Sequence, residues 1–152
     1  MKQLELDRQF MEQALEQAQL AAIAGEVPVG AVIVRNGVVL SKAFNKPITN
    51  HDPSAHAEML ALRQAALSEE NYRLPGTTLY VTLEPCTMCA GAMLHARVDR
   101  IVYGAADPKT GAAGSVLDVF SSKQINHQTV IEGGVMGEEC GQLLRDFFKE
   151  RR

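Results

Sequence analysis

The apolar positions of this chain follow two rhythms that alternate along its length. Phe10, Ala14, Leu15, Ala18, Ala21 and Ala22 recur at helical spacing, with Asp7 as a candidate cap before them and Gly25 as the stop behind. The next stretch, GAVIVRNGVVLSKAF, has strand character on both sides of Asn36-Gly37, a dipeptide that tolerates positive φ at both turn positions and so predicts a hairpin. NKPITNHDPS, rich in Pro, Asn, Asp and Ser, reads as a loop. A helix over 55–67 follows, then strand TLYVTLEP, a helix from Cys86 to Arg97 and strand RIVYGA. A glycine-rich loop, strand QTVIEGG and a last helix, EECGQLLRDFFKER, complete the series. Strands interleaved with helices predict an α/β fold, a three-layer α/β/α sandwich with a mixed sheet of about five strands whose antiparallel part is the hairpin.

Length and composition narrow the class. The 152 residues suit a single domain over 1–152, whose folding hides roughly 70% of the extended surface. MKQLELDRQF lacks the apolar run of a signal peptide, and no segment approaches the ~18 continuous apolar residues of a membrane span. A cytoplasmic protein with no membrane partner is therefore expected. Three cysteines, an odd number, argue against a disulfide scaffold and leave metal or catalytic use open. The net charge of −3 arises within residues 1–30, where Glu5, Asp7, Glu12, Glu16 and Glu26 face only Lys2 and Arg8. Overall charge thus gives no positive support for a nucleic-acid partner, although Lys42, Lys46, Lys109, Lys149, Arg151 and Arg152 could form a local basic surface.

Two short stretches carry candidate chemistry. Cys86 and Cys89 in LEPCTMCAG stand three apart where a strand gives way to a helix, so both thiols leave the same side of its first turn. The positive end of the helix dipole favours their thiolates, which suits either metal binding or redox chemistry. His56 and Glu58, in PSAHAEMLAL, cannot share a face of a regular helix, because positions i and i+2 point about 200° apart. They converge only at a helix end, with Ser54 as a plausible N-cap, Pro53 before it and His56 in the first turn. Two helix N-termini, one bearing His-x-Glu and one Pro-Cys-x-x-Cys, can then meet above the strand ends, where open α/β sheets put their sites. One imidazole and two thiolates suit a catalytic zinc with its fourth position left for water, and Glu58 then serves as an acid–base group rather than a ligand.

His56-Ala57-Glu58 with Pro85-Cys86-Thr87-Met88-Cys89 resembles the cytidine/deoxycytidylate deaminase superfamily. Glu26-Val27-Pro28-Val29-Gly30-Ala31, Asn45-Lys46-Pro47-Ile48, His51-Asp52-Pro53, Asn71-Tyr72-Arg73-Leu74, Tyr80-Val81-Thr82-Leu83-Glu84 and Asp107-Pro108-Lys109-Thr110-Gly111-Ala112-Ala113-Gly114-Ser115 extend the likeness to the bacterial tRNA-specific adenosine deaminases. The zinc motif identifies only the superfamily. The loop ending KTGAAGS favours the tRNA enzymes over guanine, cytosine or riboflavin-pathway relatives. The resemblance implies a cytidine deaminase-like fold and a homodimer with one zinc per subunit, held by His56, Cys86 and Cys89. It implies deamination of adenosine to inosine at the wobble position of a tRNA anticodon stem-loop, with zinc-bound hydroxide attacking C6 of adenine and Glu58 shuttling protons. Asn45 is then expected to hydrogen-bond the purine, its alternative being a turn residue at the hairpin end, and the backbone near Ala57 to meet the edge of the base, with Val29, Pro47 and His51 also on the substrate side. Asp107 is expected to engage the ribose 2′-hydroxyl, its alternative being a cap of the turn before Pro108.

Other residues invite plainer readings. Met88 and Met93 suit core filling, and His51, His95 and His127 have no evident catalytic partner. Phe147-Phe148-Lys149-Glu150-Arg151-Arg152 either stacks and pairs with RNA or buries its rings while its charges stay in water. Two rival functions remain at this point. Cys140 could close the zinc site as a fourth ligand, giving a structural or RNA-binding module, and Cys86 with Cys89 could form a thiol redox pair.

Overall fold

In a computed structural model, residues 2–151 are described. Arg152, at the end of the basic C-terminal segment, lies outside them. The elements in chain order are α1 (Lys2–Ile23), β1 (Gly30–Arg35), β2 (Val38–Phe44), α2 (Pro47–Asn50) and α3 (Ala57–Glu69). Then come β3 (Thr78–Leu83), α4 (Thr87–His95), β4 (Arg100–Ala105), a 3₁₀ turn (Val119–Ser121), β5 (Val130–Glu132) and α5 (Gly137–Glu150). The strands pair in the order β2-β1-β3-β4-β5. β1 runs antiparallel to both β2 and β3, while β4 runs parallel to β3 and β5. The expected five-stranded mixed sheet is therefore present. Asn36 and Gly37 turn the hairpin at φ 51° and 77°, the left-handed pair that this dipeptide allows.

Alternate strand residues feed two separate cores, which makes the three layers. Ala31, Ile33, Leu79, Val81 and Ile101 pack under α3 and α4, against Ala57, Ala61, Ala65, Ala90 and Met93. Val32, Val34, Tyr80 and Val102 point to the opposite face, against Phe10, Met11 and Ala14 of α1 and Cys140 of α5. Because both faces are covered, the central strands read as near-continuous apolar runs rather than as alternating ones. α1 approaches so closely that a Cβ at Gly30 would overlap the backbone at Ala14 and Ala18.

Several local readings are corrected. Asp7 caps nothing, since α1 begins at Lys2 and Asp7 is buried five residues in. Its carboxylate accepts hydrogen bonds from the Tyr80 hydroxyl at 2.7 Å and from Arg100 at 2.8 and 2.6 Å, and this buried ion pair pins α1 to β3 and β4. NKPITNHDPS contains the short helix α2, and QTVIEGG contributes only the three strand residues of β5. Gly25, at φ 79°, does end α1, with Glu26 N–H donating back to the Ala21 carbonyl at 2.9 Å.

Candidate active site

The two apolar helices α3 and α4 begin side by side at the C-terminal end of the sheet, and their first residues form the site. His56 is the N-cap of α3, with φ −72° and ψ 153°, and Cys86 is the N-cap of α4, with φ −81° and ψ 177°. Ser54 is not the cap. Its backbone N–H and hydroxyl donate instead to Asp52 Oδ1, at 2.9 and 2.8 Å. Neither His56 nor Cys86 spends its side chain on capping its own helix, which leaves ring and thiol free to face each other. Cys89, one turn into α4, completes the cluster. His56 Nδ1 lies 3.6 Å from Cys86 Sγ and 3.5 Å from Cys89 Sγ.

Those separations test the fit to zinc. Zn–N of about 2.0–2.1 Å and Zn–S of about 2.3 Å at tetrahedral angles set a nitrogen–sulfur separation of about 3.5–3.6 Å. Both observed distances agree with it. Among the described residues, His56, Cys86 and Cys89 are the cluster whose donor atoms all lie within 4.8 Å of one another. Cys140 does not close the set. It packs beneath α5 in the core on the other face of the sheet, and burial pushes its thiol up to about 12.

The electrostatics suit a cation at this point. A hydrogen bond from Cys89 lowers the Cys86 thiol to about 4, against the effect of burial and helped by His56. His56 is raised, first by its hydrogen bond to Cys86, and Cys89 is raised by its bond to Cys86 and by burial. The three groups thus compete for shared protons, a competition that a divalent cation removes by holding both thiolates and the neutral ring. Glu58, in the first turn of α3, is 4% exposed. Burial raises its carboxyl to about 7, with His56 opposing the rise and Cys86 adding to it. A buried carboxyl whose acidity is shifted toward neutrality is suited to proton transfer.

Of the expected substrate-side residues, Asn45 is tied directly to the helix end that bears the cluster. Asn45, 8% exposed, accepts the Ala57 N–H through Oδ1 at 2.7 Å, which ties the end of β2 to the first turn of α3. Among the described residues its amide NH₂ has no hydrogen-bond acceptor. Val29 is buried and accepts from Asn45 N–H at 3.1 Å, Pro47 starts α2, and exposed His51 ends α2 at φ 49°. Asp107 accepts from the backbone of Lys109 at 3.0 Å and Thr110 at 3.2 Å and from the Thr110 hydroxyl at 2.8 Å, so the turn-capping alternative accounts for its observed contacts. A groove of about 810 Å³ runs beside that loop, lined by Val27, Leu83, Lys109, Arg145, Phe148 and Lys149 among others.

At the C-terminus, Phe147 is buried with Arg151 stacked 3.6 Å from its ring centroid, whereas Phe148 is 44% exposed. Met93 is core, as expected, and His127 bonds the Val98 carbonyl through Nε2 at 2.8 Å.

Sheet, paired helix ends and ligand set together define a zinc-dependent deaminase, and residues 4–105 match the cytidine and deoxycytidylate deaminase zinc-binding region. The chain belongs to that family, in the branch formed by the tRNA-specific adenosine deaminases. The tRNA-specific adenosine deaminase of Haemophilus influenzae is 51% identical over 97% of this chain and 86% of its own length. That of Bacillus subtilis is 45% identical over 96% of this chain and 91% of its own. A solved tRNA:A34 deaminase, studied for A-to-I editing at the wobble position of transfer RNA, superposes with a TM-score of 0.86 at 43% identity, covering 90% of this chain and 99% of that one.

Proposed function

We propose that this chain converts adenosine to inosine at the wobble position of a tRNA anticodon, consuming water and releasing ammonia. The observation that carries the proposal is a three-donor cluster of zinc dimensions with a buried carboxylate beside it, in a chain that is 51% identical to a tRNA-specific adenosine deaminase. His56, Cys86 and Cys89 hold the metal. Bound zinc supplies the Lewis acidity that makes water a nucleophile at neutral pH. Glu58 takes one proton from the attacking water and delivers it to ring N1 of adenine, then takes the second from the new C6 hydroxyl and gives it to the amino group, which leaves as ammonia while the C6 carbonyl of inosine forms. Its burial, which raises the carboxyl above its ordinary value, supports this role, since a strongly acidic carboxyl would be a poor base.

Asn45 orients the purine. With Oδ1 committed to Ala57 N–H, the Asn45 amide offers NH₂ to an acceptor on the ring, and the backbone at Ala57 meets the edge of the base. Val29, Pro47 and His51 line the same wall, and Asp107 stands at the ribose and phosphate side. The flipped-out base of an anticodon loop needs such a wall, because unstacking it costs a few kcal/mol that contacts must offset. The working enzyme is a cytoplasmic homodimer with one zinc per subunit, as family resemblance implies. Among the described residues no helix is long and apolar enough to cross a membrane.

The test is to offer zinc-loaded protein an anticodon stem-loop carrying adenosine at the wobble position, beside the same loop carrying cytidine and beside free guanine. Ammonia release from the adenosine loop alone supports the proposal. Release from guanine or cytidine in its place would reassign the substrate within the family.

A further inference from the structure

Two buried carboxylates take no part in the reaction described above. Glu26 and Glu84 are 1% and 2% exposed, and neither forms an ion pair among the described residues. A buried carboxylate without a cation is costly unless several donors surround it, so its partners reveal its use. In both cases the donors come from one loop.

Glu26 accepts from Ile48 N–H at 3.2 Å, Thr49 N–H at 2.7 Å and the Thr49 hydroxyl at 2.7 Å. These are first-turn donors of α2, whose own N-cap residue, Lys46, makes no side-chain cap. Glu26 thus caps a helix that begins some twenty residues further on. Glu84 accepts from the backbone of Asp107 at 3.0 Å, Ala113 at 2.9 Å and Ser115 at 3.1 Å, and also from the Ser115 hydroxyl. The loop closes so tightly on it that a Cβ at Gly111 would overlap both the Glu84 carboxyl and the Asp107 carbonyl. Exposed loops ordinarily leave such N–H groups to water, which fixes no conformation.

The loops held in this way, 45–51 and 107–115, carry Asn45, Pro47, His51 and Asp107. We infer that Glu26 and Glu84 are paired positioning residues: each fixes one loop of the RNA-facing wall, and together they set affinity for the anticodon loop more than the rate of bond breaking. The inference rests on the tRNA deaminase reading. Charge and acceptor count are both needed, because a glutamine in either position would aim an NH₂ at N–H donors.

The test uses Glu26→Gln and Glu84→Gln in the zinc-loaded full chain. Each substitution raises KM for an anticodon stem-loop about 10-fold while kcat changes less than about 3-fold, the signature of lost uniform binding. Zinc content stays at the parent value. Amide hydrogen exchange accelerates over 45–51 in the first variant and over 107–115 in the second. Thr49→Val and Ser115→Ala, which each remove one donor, shift KM the same way by a smaller factor and keep the inference testable if a glutamine variant misfolds. Stem-loop binding measured without turnover separates two failures. A parent that binds RNA but makes no inosine refutes the activity, and weaker binding by both variants still supports the anchors. A fall in kcat at unchanged KM, loss of zinc from Glu84→Gln, or faster exchange across the whole chain would overturn the inference.

Discussion

Asn45 Oδ1 sits 2.7 Å from the backbone nitrogen of Ala57, the residue between His56 of the three-donor cluster and the buried carboxyl of Glu58. One side chain therefore joins the substrate wall to the catalytic helix end, with its two amide atoms in different jobs. Asn45→Asp keeps the acceptor for Ala57 N–H and removes the NH₂ proposed to meet the purine. The variant is expected to fold and retain zinc while kcat/KM for the stem-loop falls about 10–200-fold, for one lost hydrogen bond of ~1.5–3 kcal/mol. Near-parent turnover would show that another group orients the base.

Glu58→Ala leaves His56, Cys86 and Cys89 in place and removes only the proposed proton carrier. Zinc content should match the parent while inosine formation falls by at least the ~10²–10⁴-fold typical of a general acid–base group. A variant without metal would turn Glu58 into a ligand or a support of one.

Metal removal should register as lost stability. Zinc present at ~100 times its Kd contributes ~2.7 kcal/mol, so chelation lowers Tm by about 5–10 °C at ~2–4 °C per kcal/mol. Cys86→Ala and Cys89→Ala should melt low even with zinc supplied, and Cys140→Ser should keep both metal and the chelator response. Loss of zinc from Cys140→Ser would contradict the assignment of Cys140 to the opposite core.

The cluster of His56, Cys86 and Cys89 was legible in the sequence because a helix end is a local feature on which His-x-Glu and Pro-Cys-x-x-Cys can converge, whereas what the cluster holds was read from the donor set and the family resemblance. The hairpin was equally legible, since Asn36-Gly37 states its turn type. What escaped were contacts between residues far apart in the chain. Asp7 resembles any N-cap aspartate until Tyr80 and Arg100 fold over it. Glu26 and Glu84 belong to the same motifs that carried the family resemblance, but periodicity says nothing about donors 22 to 31 residues away. A signal did exist, in a carboxylate directly after a helix stop and another directly after a buried strand. Ser54 and His56 show the remaining limit, as a local cap preference cannot tell which polar residue will be drawn off by Asp52.

Acid should weaken the fold through its buried carboxylates. Burial alone would raise Glu26 and Glu84 above their ordinary 4.5, but hydrogen bonds from Thr49 and Ile48, and from Ser115, Asp107 and Ala113, outweigh it and hold both below. Asp7 is likewise held below 3.8, burial being overcome by Arg100, Tyr80 and Gln3. Folded values below unfolded ones mean that the stabilisation is complete above the ordinary carboxylate range and is lost as pH falls through the lowered values. Tm should be insensitive to these groups from neutrality down to about 5 and should fall steeply below about 4. Glu26→Gln, compared with the parent in the presence of chelator so that zinc release does not intervene, should flatten that acid slope. An unchanged slope would show that Glu26 titrates alike in folded and unfolded chains.

Total tRNA lacking inosine, incubated with the zinc-loaded protein and with Glu58→Ala in parallel, tests the central claim most directly. Nucleoside mass spectrometry gives the amount of inosine formed, and sequencing gives its position. The account predicts inosine only with the parent protein, only at the first anticodon position, and with ammonia released in equal amount. No inosine from a folded, zinc-loaded parent, or inosine spread over adenosines outside the anticodon, would contradict it.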